Sequence, residues 1–80
     1  MAQIIYKVEA FWDAEATVWV ATSEDVPGLV TEAGTIETLM QKLQCIIPEL
    51  VLLNRVVTPE SGSITFQLTS HRQEVVEVAP

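Results

Sequence analysis

The stretch TVWVATSEDVPGLVTEAGTI, residues 17–36, decides the fold. It opens with β-branched and aromatic side chains, which favour a strand over residues 17–22. Pro27 and Gly28 then predict a turn, because proline fixes φ and glycine tolerates positive φ. A short further strand follows over residues 29–33. The stretch therefore predicts two successive strands joined by a tight connection, with a helix beginning directly after them.

That helix is the clearest element of the sequence. Thr35 is its predicted N-cap, and Glu37 lies in the first turn, where the helix dipole favours an anion. Apolar residues recur at steps of three and four and form one stripe: Ile36, Leu39, Met40, Leu43, Ile47, Leu50 and Val51. Pro48 cannot donate to the carbonyl of Gln44, so a kink or a break is expected there. Cys45 lies close to the stripe and is predicted to be a small buried hydrophobe.

Two more strands flank this region. Residues 3–12 alternate, and the short polar segment 13–16 suits a hairpin connection to the strand that follows. The two faces of this first strand carry Ile4, Tyr6, Val8, Ala10 and Trp12 on one side, and Ile5, Lys7, Glu9 and Phe11 on the other. Ile64, Phe66 and Leu68 alternate with polar residues and predict the last strand. Residues 71–80 either extend that strand or follow it as a tail.

The order of elements limits the possible topologies. Two hairpins place the third strand parallel to the first, and a right-handed helical crossover returns the fourth strand beside the first. The prediction is a single α+β domain over residues 1–80, with a four-stranded mixed sheet in the order 3-2-1-4 and one helix packed on one face. One helix cannot cover both faces of the sheet, so we expect a homodimer or a higher homo-oligomer.

Composition restricts the function. The 80 residues are 49% hydrophobic and carry a formal net charge of −7. That balance counts against direct binding of DNA or RNA, whose affinity comes largely from neutralised phosphates, and it favours a basic protein partner. The single cysteine, Cys45, cannot form an internal disulfide. No targeting signal or membrane-spanning stretch is recognisable, so a cytoplasmic protein is expected.

No constellation of residues predicts an active site, a cofactor site or a metal site. Glu9 and the neighbouring carboxylates could hold metal ions for a nuclease, because the strand order resembles half of a ribonuclease H sheet. The turn carboxylates are more naturally a solvated surface. His71 has no partner for nucleophile activation and is expected at the surface near a strand end. Trp12 and Trp19 could stack a base, but paired strand aromatics are commonly core or interface.

A family resemblance adds to this interpretation. Residues 11–21, an acidic turn followed by an aromatic–valine pair, resemble the first hairpin of HicB-type antitoxins. Residues 23–37 continue the likeness with an acidic Pro-Gly turn, a short strand and a Gly-Thr helix start. The resemblance covers residues 4–54, and Ile47-Pro48-Glu49-Leu50 is similar to short HicB-related proteins.

The resemblance implies a truncated ribonuclease H-like fold and a protein that binds and masks HicA, a small basic toxin that cuts messenger RNA. Full HicB proteins usually add a DNA-binding domain, which is not expected here, because only about ten residues, of acidic character, follow the last strand. The expected contact residues are carboxylates at turns and at the helix start: Asp13, Glu15, Glu24, Asp25, Glu32 and Glu37. The alternatives are an orphan oligomeric structural or ligand-binding module and a metal-dependent nuclease.

Overall fold

The computed structural model describes residues 4–54 and 62–79. Its elements in chain order are β1 (Ile5–Asp13), β2 (Val18–Thr22), β3 (Val30–Ala33), α1 (Ile36–Leu53) and β4 (Thr65–His71). The four strands form one mixed sheet in the order β3-β2-β1-β4. β1 is antiparallel to β2 and parallel to β4, and β2 is antiparallel to β3. The predicted α+β fold, strand order and single helix are confirmed.

The core lies between one face of the sheet and α1. Burial alternates along β1, so Tyr6, Val8 and Ala10 are buried while Ile5 and Phe11 are about half exposed. This confirms the predicted division of β1 into two faces. The other buried residues are Trp19, Ala21, Val26, Leu29, Ala33, Leu39, Leu43, Ile47 and Val51. The opposite face of the sheet, which we call the outer face, has no element packed on it among the described residues.

The helix begins as predicted. Thr35 is the N-cap, and its side-chain oxygen accepts a hydrogen bond of 3.1 Å from the Thr38 amide. At the other end the Asn54 side-chain amide donates to the carbonyls of Leu50, at 2.9 Å, and Pro27, at 3.2 Å. The second bond fixes the end of α1 to the turn before β3.

Two predictions on the helix need correction. The helix continues through Pro48, so the expected break is wrong, and a bend there stays a prediction. The missing donor removes one bond, which the packed stripe on both sides of Pro48 compensates. Cys45 is exposed, so its predicted burial is also wrong. It lies two positions from both Leu43 and Ile47, about 200° around the helix, which places it on the solvent face.

Two further segments were predicted from the sequence, the turn over residues 58–62 and the residues that follow the last strand. The turn expected over residues 58–62 lies outside the described residues except for Gly62. Residues 72–79 follow β4 as an extended, exposed segment that is not part of the sheet. Of the two alternatives for residues 71–80, the structure therefore shows a tail after β4, and β4 itself ends at His71. The molecule measures 60 × 25 × 19 Å along its principal axes.

Candidate functional site

The six predicted contact carboxylates lie in two groups at opposite ends of the sheet. Glu24 and Asp25 follow β2, beside Glu9 on the outer face, and Glu9 lies opposite Thr22 in register. Asp13 and Glu15 belong to the β1–β2 hairpin at the other end of the sheet. Glu32 and Glu37, near the end of β3 and the start of α1, lie toward the hairpin end. The Asp13 row is four residues, about 13 Å, from the Glu9 row along β1, and the Glu32 row lies between them, so the six residues do not form one cluster.

We call Glu9, Glu24 and Asp25 the acidic corner. Together with Lys7, Thr22 and Ser23 they line an open depression at the end of the outer face away from the hairpin. The sequence analysis predicts Glu9 only as a possible metal ligand of a nuclease. Its position in this acidic surface is found only in the structure. Its position on the exposed side of β1 follows from the strand alternation and could have been predicted.

The loop that carries Glu24 is rigidly held. Beyond the end of β2, the backbone of Lys7 has no strand neighbour on that side among the described residues, and two loop side chains replace it. The Asp25 carboxylate accepts from the Lys7 amide at 2.8 Å, and the Ser23 hydroxyl donates to the Lys7 carbonyl at 2.6 Å. The same hydroxyl oxygen accepts from the amides of Asp25 and Val26, each at 3.1 Å. Asp25 therefore has a structural role in addition to its charge. The structural role of Ser23 was not predicted from the sequence.

The loop is also anchored from below. Val26 and Leu29 are buried in the core, and the Leu29 amide donates to the Val26 carbonyl at 3.2 Å. Gly28 between them has φ +81°, a conformation that side chains other than glycine rarely adopt. The predicted Pro-Gly turn therefore has a clear role. It returns the chain under the acidic corner and holds Glu24 at the surface.

The hairpin carboxylates have a different local role. One oxygen of Asp13 accepts from the backbone amides of Glu15 at 3.1 Å and Ala16 at 3.2 Å, which organises the turn. Thr17 completes it with φ 53°. Glu15 itself is exposed. The Glu32 carbonyl, not its carboxylate, accepts from the Lys42 ammonium at 2.7 Å.

An aromatic cluster lies at the hairpin end on the helix side of the sheet. Trp12 and Trp19 meet edge to face with centroids 5.4 Å apart, and the Arg72 guanidinium lies 4.1 Å from the Trp12 centroid. Glu74 pairs with Arg72 at 3.1 Å. On the outer face His71 stacks on Phe11 at 4.7 Å. The tryptophans are core and surface packing, with Trp19 buried and Trp12 half buried. His71 is exposed, as predicted.

The described residues include no group of three His, Cys, Asp or Glu side chains that could hold a metal ion. Over residues 4–54 and 62–79, the buried side chains are apolar apart from the polar groups of Tyr6 and Trp19, and none is charged. Catalytic side chains commonly act from partly enclosed sites that shift their acidity. The described geometry offers an exposed charged surface. No described helix is long and apolar enough to cross a bilayer.

Comparison with known proteins places the chain in a family. Residues 5–79 match the family described as "Domain of unknown function (DUF1902)". The chain belongs to the DUF1902 family. A DUF1902 chain thus has this four-stranded sheet and single helix.

A solved structure resembles this DUF1902 chain over most of its length. It is the crystal structure of hypothetical protein TTHA1013 from the extremely thermophilic bacterium Thermus thermophilus. The two sequences are 45% identical, and the likeness covers 91% of this chain and 100% of that one, with a TM-score of 0.79. No curated protein matches the sequence significantly. Neither the family description nor the name of the solved structure states an activity.

Proposed function

We propose that this DUF1902 chain is an antitoxin-type binding protein of the cytoplasm that masks a small basic protein. The supporting observation is the acidic corner, where Glu9 and Glu24 project from a well-anchored strand and loop. Among the described residues, Glu74 is the carboxylate that forms an ion pair. The three carboxylates of the acidic corner share their depression with one cation, Lys7, so the corner has an excess of negative charge. The net charge of −7 adds a long-range field of the same sign. Such a surface attracts a basic protein and repels nucleic acid.

The class of partner rests on the resemblance to HicB. A HicA-type toxin is a basic protein that cuts messenger RNA, so an acidic surface that covers its RNA-binding residues would block it sterically and electrostatically. In this role the chain performs no chemistry of its own. A metal-dependent nuclease has less support, because the carboxylates of the acidic corner do not converge as a metal-binding group within the described residues.

The decisive experiment titrates RNA cleavage by a candidate toxin with this protein, at low and at moderate salt. The candidates are small basic proteins encoded beside this one. We expect stoichiometric inhibition, with an association rate that falls as salt rises, because exposed charges are screened within about 8 Å at physiological ionic strength. If no such basic protein is inhibited, the antitoxin function is wrong.

A pair of charge reversals tests the acidic corner. Glu9→Lys with Glu24→Lys should slow association with the toxin by about tenfold or more at low salt, while dissociation changes less. Glu49→Lys is the single-site control, because Glu49 is exposed on α1, and Glu9→Lys alone gives the comparison at equal change in charge. Asp25 is left intact since its carboxylate binds the Lys7 amide. Equal slowing by Glu9→Lys and Glu49→Lys would mean that only net charge matters, not the acidic corner.

A further inference from the structure

Residues 72–79 form an extended segment that we call the C-terminal arm. Its three valines are almost fully exposed, with Val75 at 89%, Val76 at 78% and Val78 at 90%. Among the described residues no hydrogen bond joins residues 73–79 to the body of the molecule. An extended backbone with an apolar side-chain row and no partner in the described part of its own chain is the form of a strand that pairs with another chain.

The base of the arm is fixed in direction. The Arg72 guanidinium lies over Trp12, and His71 stacks on Phe11, so both residues at the junction are attached to β1. A straight strand over the fifteen residues 65–79, which begins beside Ile5, spans about 50 Å. This accounts for most of the 60 Å length of the molecule, so the arm continues roughly along the strand direction. It therefore leaves the body as a straight extension of β4.

The sheet offers two open edges to such an arm, and β4 fits it better. β4 has seven residues and no carboxylate, whereas β3 has only four and carries Glu32. The arm is itself acidic, with Glu74 and Glu77, so pairing with β3 would place like charges on adjacent strands. The edge of β4 away from β1 has no strand beside it in the described part of the chain.

The alternation of side chains along the arm also fits pairing with β4. Phe66 and Leu68 point to the helix side of the sheet, where they stay only half buried because α1 crosses β2 and β3. Since alternation continues past His71, the helix side of the arm carries Val76 and Val78. Directly opposed residues of antiparallel strands share a face, so these valines would meet Phe66 and Leu68. A depression of about 100 Å³ between α1 and β4, lined in part by Pro48, Ile64 and Phe66, adjoins that position.

We propose that the protein forms a two-fold symmetric homodimer in which the C-terminal arm of each copy adds as an antiparallel strand to the β4 edge of the other. Because β4 and the arm are one continuous strand, a single two-fold axis near their junction satisfies both pairings at once. The two sheets then join into one sheet of eight body strands. This inference is independent of the antitoxin proposal.

The test compares two matched substitutions in the full-length protein. Val76→Asp places a carboxylate on the helix side of the arm, against β4 of the partner copy, and Val75→Asp places it on the outer side. Both valines are exposed within one chain, so neither change should unfold it. By light scattering at about 100 μM we expect a wild-type dimer. Val76→Asp should raise the dimer dissociation constant by about a hundredfold, because each dimer carries the substitution twice, and Val75→Asp should change it far less.

Amide hydrogen exchange distinguishes this interface from other dimers. β4 pairs with β1 along one edge, so the amides on its other edge are protected from exchange only when an arm covers them. They should be protected in the wild type and should lose protection in Val76→Asp. A monomeric wild type at that concentration, a dimer that Val76→Asp leaves intact, or unprotected outer amides of β4 would each overturn the proposal. A dimer through the outer face would give the last two results.

Discussion

Lys7 shows how single side chains can complete a sheet. Its backbone amide and carbonyl lie beyond the last residue of β2, and the side chains of Asp25 and Ser23 bind them in place of a strand. Exposed strand ends are usually hydrated or frayed. Here the two side chains bind the Lys7 backbone as a strand would, which keeps the end of β1 ordered and fixes the loop that carries Glu24.

Ser23→Ala tests this role. The change removes one donated and two accepted hydrogen bonds at a half-exposed position, so we expect the free energy of unfolding to fall by about 1–2 kcal/mol. Urea denaturation measures it. Ser70→Ala is the control, because Ser70 is exposed on β4 and its change should cost under about 0.5 kcal/mol. Equal effects at the two positions would show that the Ser23 bonds contribute nothing beyond hydration.

Leu43 represents the core at the same scale. It is fully buried between α1 and the sheet, so Leu43→Ala should cost about 2–5 kcal/mol through lost burial and an incompletely closed cavity. A domain of this size has a total stability of about 4–12 kcal/mol, so the variant should lose a large fraction of it and its thermal midpoint should fall clearly. Leu53→Ala, at a residue that is 77% exposed, should leave the thermal midpoint nearly unchanged. Circular dichroism on heating compares the two.

Among the elements, α1 is the one whose sequence contains a local conflict. Pro48→Ala restores a donor to the Gln44 carbonyl and removes the ring that crowds it, and this should outweigh the entropy gained by the unfolded chain. We expect a folded protein whose free energy of unfolding rises by about 1 kcal/mol, measured in urea. A loss of stability would mean that the proline ring, which lines the depression beside Ile64 and Phe66, contributes more than helix geometry.

The elements also show what sequence reasoning can reach. Alternation identified the faces of β1, and the three- and four-residue stripe identified the buried side of α1, because both patterns record which residues avoid water. The predicted burial of Cys45 was wrong because closeness in sequence to an apolar stripe does not fix a residue's angle around the helix. The carboxylates were named from turn chemistry, but their separation into two groups depends on strand register. The role of Ser23 depends on a contact sixteen residues away.

At the scale of the whole molecule, charge sets the interactions. The sequence isoelectric point is about 4.3. We therefore expect no binding to RNA or DNA at physiological salt, since the surface repels phosphates. Fluorescence anisotropy of labelled single-stranded RNA and duplex DNA should stay flat as the protein is added. The same titration at a pH near the isoelectric point, where net charge is near zero, should instead show reduced solubility of the protein. Saturable binding at neutral pH would contradict the assignment of a protein partner.

The parallel pairing of β1 with β4 has a consequence for biosynthesis. Ile5 lies beside Thr65 in register, so a residue of β1 must wait for the synthesis of residues far along the chain before it gains its neighbour. The hairpins and α1 can form earlier from contacts close in sequence, whereas this pairing requires closure of a long loop and is slow by comparison. Until β4 emerges, the nascent chain presents β1 as an open edge beside an incomplete core. Emergence of β4 from the ribosome, rather than formation of the helix, therefore sets the moment at which the sheet is finished.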